Sequence, residues 1–461
     1  MIRHLLIAVL LAGGLLSQAV APAHAGWIEN GTAINTATND QFGAPPVSDG
    51  LGGAIMTWQS YSDIYAQRVD GLGNILWTTS GVGICKDPSS QAGPVIVADG
   101  FGGAIITWWD RRNHPTEYDN YAQRVDGSGN VLWTTDGVPV CTASGAQIAP
   151  WLAADGTGGA IIAWQDSRGV SYDVYAQRVD ASGTAVWTAN GVAICTAANT
   201  QNTIRVVADE FGGAVISWQD YRSGVTDIYA QRVNGTGSAM WLANGEPVCT
   251  AVDFQLDPRL VSDGSGGAIV TWKDYRSGIE HDIYTQRVDG SGNVLWTTNG
   301  VAICTATDDQ SDLEIATDGA GGAILAWRDL RSGTANDIYA QRVNGSGSAL
   351  WTADGVAICS AAVDQIGPQV ASDGLGGAII AWRDLRSGLG DIYARRVDGS
   401  GTPQWTTDGV AICTHPSDQP NPGLVSDGLG GAVPAVMTIK NATINTFALC
   451  MVRLPFPDSR I

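Results

Sequence analysis

The chain has 461 residues, 44% apolar and only 15% charged, with 59 Gly, 17 Trp and a formal net charge of −20. The apolar share excludes a disordered chain, and glycine that follows no three-residue grid excludes collagen. The acidic balance argues against nucleic acid or an anionic membrane as partner.

Residues 1–25 read as a secretory leader: Arg3, an apolar run over 5–16, and the small-x-small site Ala23-His24-Ala25. The run is shorter than the ~20 residues a membrane span needs, and no other stretch approaches that length, so membrane insertion is not expected. Cleavage after Ala25 would leave residues 26–461 outside the cytoplasm.

Those residues repeat. An Asp opening a Gly-rich turn recurs at Asp49, Asp99, Asp155, Asp209, Asp263, Asp318, Asp373 and Asp427, a period of about 54 residues. One Trp series follows these turns from Trp58 to Trp382, and a second runs from Trp27 to Trp405. Each unit carries four strand-like segments; in the seventh they span 368–372, 377–383, 391–398 and 403–413. Asp373-Gly374 and Asp398-Gly399 supply turns in which Gly accepts positive φ.

The expected fold is all-β: a single eight-bladed β-propeller of four-stranded antiparallel blades. Residues 27–37 match a fourth strand, while 422–453 supply only a first, a second and a degenerate third. The N-terminal strand would therefore complete the last blade and close the ring, which removes its open edges.

Cys85, Cys141, Cys195, Cys249, Cys304, Cys359 and Cys413 take one equivalent position per unit, with Asn35 there in the first. Equivalent positions in neighbouring blades lie too far apart to bridge, so buried free thiols are expected.

The hairpin Asp289-Gly-Ser-Gly-Asn-Val-Leu-Trp296 resembles the Asp-box turn of sialidase-like propellers, Ser-x-Asp-x-Gly-x-Thr-Trp. It departs by one residue between Asp and Gly, one between Gly and Trp, and Arg287 at the Ser position. The resemblance implies the fold, and the arginine triad and tyrosine–glutamate pair of sialidases have no counterpart that can be placed here. The whole repeat is similar to that of secreted bacterial β-propeller proteins.

Most polar repeats read as architecture. Arg68, Arg124, Arg178, Arg232, Arg287, Arg342 and Arg396 share one third-strand position, and six Asp-x-Arg pairs, such as Asp220/Arg222, share one loop. Ion pairing within or between blades is their expected role. The Gln series from Gln41 to Gln419 is expected to bond nearby backbone. Asp289, Ser291 and Asn293 copy the start of a calcium loop, but Val294 and Gly300 stand where Gly and Glu are required, so neither a metal nor a cofactor is expected.

Function is sought where the repeats disagree. Four residues before the turn Asp stand Pro45, Val95, Trp151, Arg205, Arg259, Glu314, Gln369 and Gly423. Trp151, Arg205, Arg259, Glu314 and Gln369 are candidate ligand-binding residues at an axial mouth, with Trp151 as a stacking face for a sugar ring. The second unit adds Trp109, His114 and Glu117 in its longest loop, between Trp108 and Tyr121. His114, His281 and His415 are too dispersed for a relay, and no spacing selects a catalytic carboxylate pair.

The expected function is a secreted or surface binding or scaffold module for a glycan or an extracellular protein. A glycoside-hydrolysing propeller and a purely structural surface protein are the alternatives. The oligomeric state is not set by the sequence.

Overall fold

A computed structural model describes residues 32–35, 41–416, 418–427, 431–436, 439–440 and 445–449. The described residues form an all-β array without a helix. Seven successive antiparallel sheets each join strands in chain order, as in Gln147–Ala154, Ala160–Asp166, Asp173–Val179 and Val192–Cys195. Each first strand packs on the first strand of the next sheet, so the first strands line the axis of a propeller-like array and the fourth strands its rim.

The first sheet departs from the pattern. Its inner edge is broken into Gln41–Gly43 and Val47–Ser48 around Pro45 and Pro46, which lack the N–H a ladder needs. At the chain ends, Thr32–Asn35 pairs antiparallel with Asn445–Leu449. Ile34 and Val425 join Ala54, Met56, Trp58 and Val69 of the first sheet in one apolar cluster.

The second strand of each of the seven sheets is buried on both faces, which explains why it reads apolar up to its Trp apart from a single Ser or Thr in four of them. The core lies between sheets. Val215, Ile228, Ala230, Val248 and Cys249 of one unit pack with Leu260, Val270 and Trp272 of the next.

Two polar staples repeat between neighbouring sheets. In the first, Asp220 accepts Trp218 Nε1 at 2.8 Å and Arg222 Nη2 at 2.6 Å. The same Nη2 donates to Cys195 Sγ of the preceding unit at 3.2 Å, and the guanidinium lies 3.8 Å over Tyr229. In the second, Arg232 pairs with the turn Asp209 at 2.8 Å and reaches Gly290 O of the next unit, which also accepts Trp241 Nε1. The repeated Arg residues thus pair within and between blades, as expected. The Gln series also does what its position suggests: buried Gln201 donates to Asn199 O at 3.1 Å and Gln310 to Asp308 O at 2.6 Å.

Six repeat cysteines are buried free thiols, each pushed up to about 12 by burial. Cys413 differs from the expected free thiol, because it is disulfide-bonded. Its partner lies outside the described residues. The bridge does not join neighbouring repeat positions, so the distance argument for the other six stands.

The fourth strand is also shorter than expected: Val410–Cys413 rather than the whole of 403–413. Asp408 and Gly409 both take positive φ, so a tight turn occupies the middle of that segment. Asp289 Oδ1 accepts the N–H groups of Ser291 and Asn293, which commits the calcium-loop look-alike to turn chemistry.

Facing carboxylates accompany the first staple. Asp282 stands opposite Asp274 in register, and Asp337 opposite Asp329. Burial first, then the negative charges of Glu280 and Asp274 for Asp282 and of Asp329 for Asp337, pushes both up to about 6. Arg276 and Arg331 oppose this, while Asp354 and Asp408 add to it. The folded state therefore holds protons that the unfolded chain has released between about pH 4 and 6, and stability falls as pH rises through that window. An Asp282→Asn/Asp337→Asn variant is expected to be more stable than the parent at pH 7 by about 1–3 kcal/mol. The gap should shrink by pH 4.5 in urea unfolding, and a pH-independent gap would contradict the assignment.

Candidate functional site

The residues singled out on the first strands occupy equivalent register positions. Trp151 faces Ala163, Arg205 faces Ser217, Arg259 faces Thr271, Glu314 faces Ala326 and Gln369 faces Ala381. A bulge precedes each one. Its left-handed residue is Ala149, Thr203, Asp257 or Asp312 in the middle units, with φ near +50°, and Gly93 or Gly367 in the flanking ones. Non-glycine residues pay strain there, and the bulge re-aims the strand just before the axial residue.

The structure brings most of the candidates into contact. The Arg205 guanidinium lies 4.4 Å over the Trp151 ring. Arg259 Nε reaches Glu314 Oε1 at 3.3 Å. Trp109, Trp151 and Arg205 line one cavity of about 170 Å³, together with Gly93, Ala149 and Gln165. Trp109 packs at 5.2 Å against Tyr118, which Arg111 covers at 4.1 Å. Trp109 lies on the second strand, Ala104–Asp110, and not on the long loop as expected; the loop's own aromatic, Tyr118, packs behind it and does not line the cavity.

The remaining candidates do other work. Glu117 accepts the Gly145 N–H at 3.2 Å and braces the loop entering the third unit. His114 lies on the same loop, near enough to Asp119 to favour its charge, and does not line the cavity. Gln369 donates to its neighbour Pro368 O. His281 meets Asp309 at 3.1 Å, far from His114 in the array of units. Among the described residues no group of three His, Cys, Asp or Glu could hold a metal ion.

Sequence reasoning missed a second layer, formed by the residue after each core Trp. Lys273 pairs with the bulge residue Asp257 at 2.6 Å, and Arg328 with Asp312 at 3.3 Å. Gln219 accepts the Asp257 N–H, which ties one unit to the next. The signal was present, since this position also varies from Gln165 to Lys273 to Arg383, but only Trp109 drew notice.

Charge follows from this inventory. Glu314, Asp257 and Asp312 each have a cation. Arg205 has no carboxylate within ion-pair distance among the described residues: its Nη1 donates to Ile204 O at 2.9 Å, and its buried Nε has no acceptor. Burial, and then repulsion from Arg259, brings the Arg205 guanidinium down to about 10, against the pull of Glu314 and Asp257. Burial raises the Glu314 carboxyl above its ordinary range, and Arg259 opposes that rise.

A larger and more open groove of about 1010 Å³ lies between the third and fourth units, lined by Val170, Asn199, Asn202 and Tyr221 among others. It is built from loops without a charged focus other than Asp173, so the axial cavity is the better site.

No family model matches the chain, and no curated protein matches it. Among solved structures, a polysaccharide lyase of family PL25, an ulvan lyase, is similar at 11% identity over 92% of this chain and 95% of its own, with a TM-score of 0.47. An oligogalacturonate lyase from Vibrio parahaemolyticus is 11% identical over 81% and 92% of the two chains, with a TM-score of 0.43. A protein of unknown function from Dyadobacter fermentans is 12% identical over 68% and 96%, with a TM-score of 0.37. Similarity at this level says nothing about what this chain binds.

Proposed function

We propose that residues 26–461 form one closed eight-bladed propeller, exported behind a cleaved leader, that binds a glycan at its axial mouth. Closure is supported by the pairing of Thr32–Asn35 with Asn445–Leu449 and by the packing of Ile34 and Val425 on the first sheet. It is supported again by the first staple, which changes on both sides of one seam. Ser60 replaces the staple Asp in the first unit, and Asn35 replaces the Cys that would face it. Asp and Cys occur together at the six seams from Cys85/Asp110 to Cys359/Asp384, and Thr438 stands in the Asp position opposite Cys413.

Binding rests on one observation: Trp109, Trp151 and Arg205, all off the repeat pattern, share a single cavity. Repeated residues serve every blade alike, so a site made of unrepeated ones is the place where this molecule differs from its own scaffold. A cavity of that size accepts a ring rather than a protein surface, which favours a glycan over an extracellular protein. Two free carboxylates, as glycoside hydrolysis uses, are not favoured, because Glu314, Asp257 and Asp312 are each ion-paired.

A glycan array probed with the mature protein is expected to retain at least one sugar class. The Trp151→Ala variant should lose about tenfold or more of that affinity, through the lost stacking face. No retained glycan, or equal binding by the variant, would overturn the reading.

A further inference from the structure

We infer that the axial site takes a sugar ring bearing a carboxylate, a hexuronate, with the ring against Trp151 and the carboxylate on Arg205; this rests on the glycan-binding reading above. The chain is acidic overall, with a net charge of −20, yet the cavity is edged by a cation that has no carboxylate within ion-pair distance among the described residues. The neighbouring cations differ. Arg259, Lys273 and Arg328 each have a carboxylate within 3.3 Å.

Arg205 cannot easily borrow one of these partners. Glu314 is held by Arg259, and Asp257 by Lys273 from its own sheet. Burial and then the repulsion from Arg259 disfavour the Arg205 charge against the pull of Glu314 and Asp257, so a carboxylate placed on the guanidinium would favour that charge. Its geometry matches that role. One end is fixed by the bond to Ile204 O and one face by Trp151, while Nε stays buried with no acceptor. A buried donor left unmade is costly, and a ligand carboxylate would meet it with the planar fork that guanidinium pairing prefers. The aromatic faces supply the remaining requirement, a flat apolar surface for the ring, and Trp109 Nε1, also buried without a partner, adds a donor beside the same cavity.

The experiment compares methyl glucuronide and methyl galacturonide with methyl glucoside and methyl galactoside. Each is titrated calorimetrically into the mature protein and into Arg205→Gln, with circular dichroism verifying the variant fold. At least one uronide is expected to bind about tenfold to a hundredfold more tightly than its neutral counterpart, and Arg205→Gln should abolish that preference. Neutral sugars binding as tightly as uronides would overturn the carboxylate assignment while leaving the glycan reading intact. A uronide preference that survives in Arg205→Gln would also overturn it. Binding of none of the four would overturn both readings. Sodium acetate serves as a further arm: acetate binding equal to the uronides would show a carboxylate site without a sugar ring and would overturn the hexuronate assignment.

Discussion

Replacing Asp220 with alanine is expected to lower the unfolding free energy by about 3–5 kcal/mol, as when one member of a buried ion pair is removed. Asp220 has no exposed side-chain surface, and its two oxygens accept Trp218 Nε1, the Arg222 backbone N–H, Arg222 Nε and Arg222 Nη2. Without it, the indole N–H loses its acceptor and the guanidinium keeps its charge against Tyr229 and Cys195. Part of the loss is offset, because Asp227 stands opposite in register and its charge is disfavoured by Asp220 in the parent. Arg222→Met added to Asp220→Ala should recover part of the stability, since no stranded charge is then left. Urea unfolding of the parent, both single variants and the double variant gives the cycle. Additive losses would show that the staple is not a coupled unit.

The staples were largely legible before the structure, because a residue required at each blade interface must recur with the period. Asp220, Arg222 and Trp218 announce themselves that way. The axial residues were legible for the opposite reason: Trp151, Arg205 and Glu314 break a pattern kept around them. What escaped was conformational. The bulge that aims those side chains uses left-handed Ala149, Thr203, Asp257 and Asp312, and neither Ala nor Thr signals positive φ. Gly93, Gly367 and the two Asp residues hint at it, since Gly and Asp tolerate that region. Lys273 and Arg328 escaped for a related reason, since their partners are the bulge residues themselves. The over-long fourth strand had a usable signal, the Asx-Gly pairs at Asn190-Gly191 and Asp408-Gly409, and both residues of each pair do adopt positive φ. Cys413 could not be separated from its six equivalents by spacing, because its pairing depends on a cysteine outside the 54-residue series.

Trp272→Ala is expected to cost about 3–5 kcal/mol, the range for emptying a fully buried aromatic position. The ring is wholly buried and lies in a cluster that joins two sheets, with Val215, Ile228 and Cys249 on one side and Leu260 and Val270 on the other. Its Nε1 bond to Asp274 at 2.7 Å is lost as well. Trp241→Ala should cost less than half as much, because that ring is only half-buried and its main tie is the 3.2 Å bond to Gly290 O across the rim. The form of the unfolding curve carries further information than its midpoint. In an open array each sheet leans only on its neighbours, so a weakened interface would split unfolding into two stages. In a closed ring the two flanks of that interface remain joined by the other route, and Trp272→Ala should shift one transition without dividing it. Denaturant unfolding followed by tryptophan fluorescence and by circular dichroism separates these cases. Coincident curves at a lower midpoint are expected, and a plateau between two transitions would argue that the strand pairing of the two chain ends does not close the molecule.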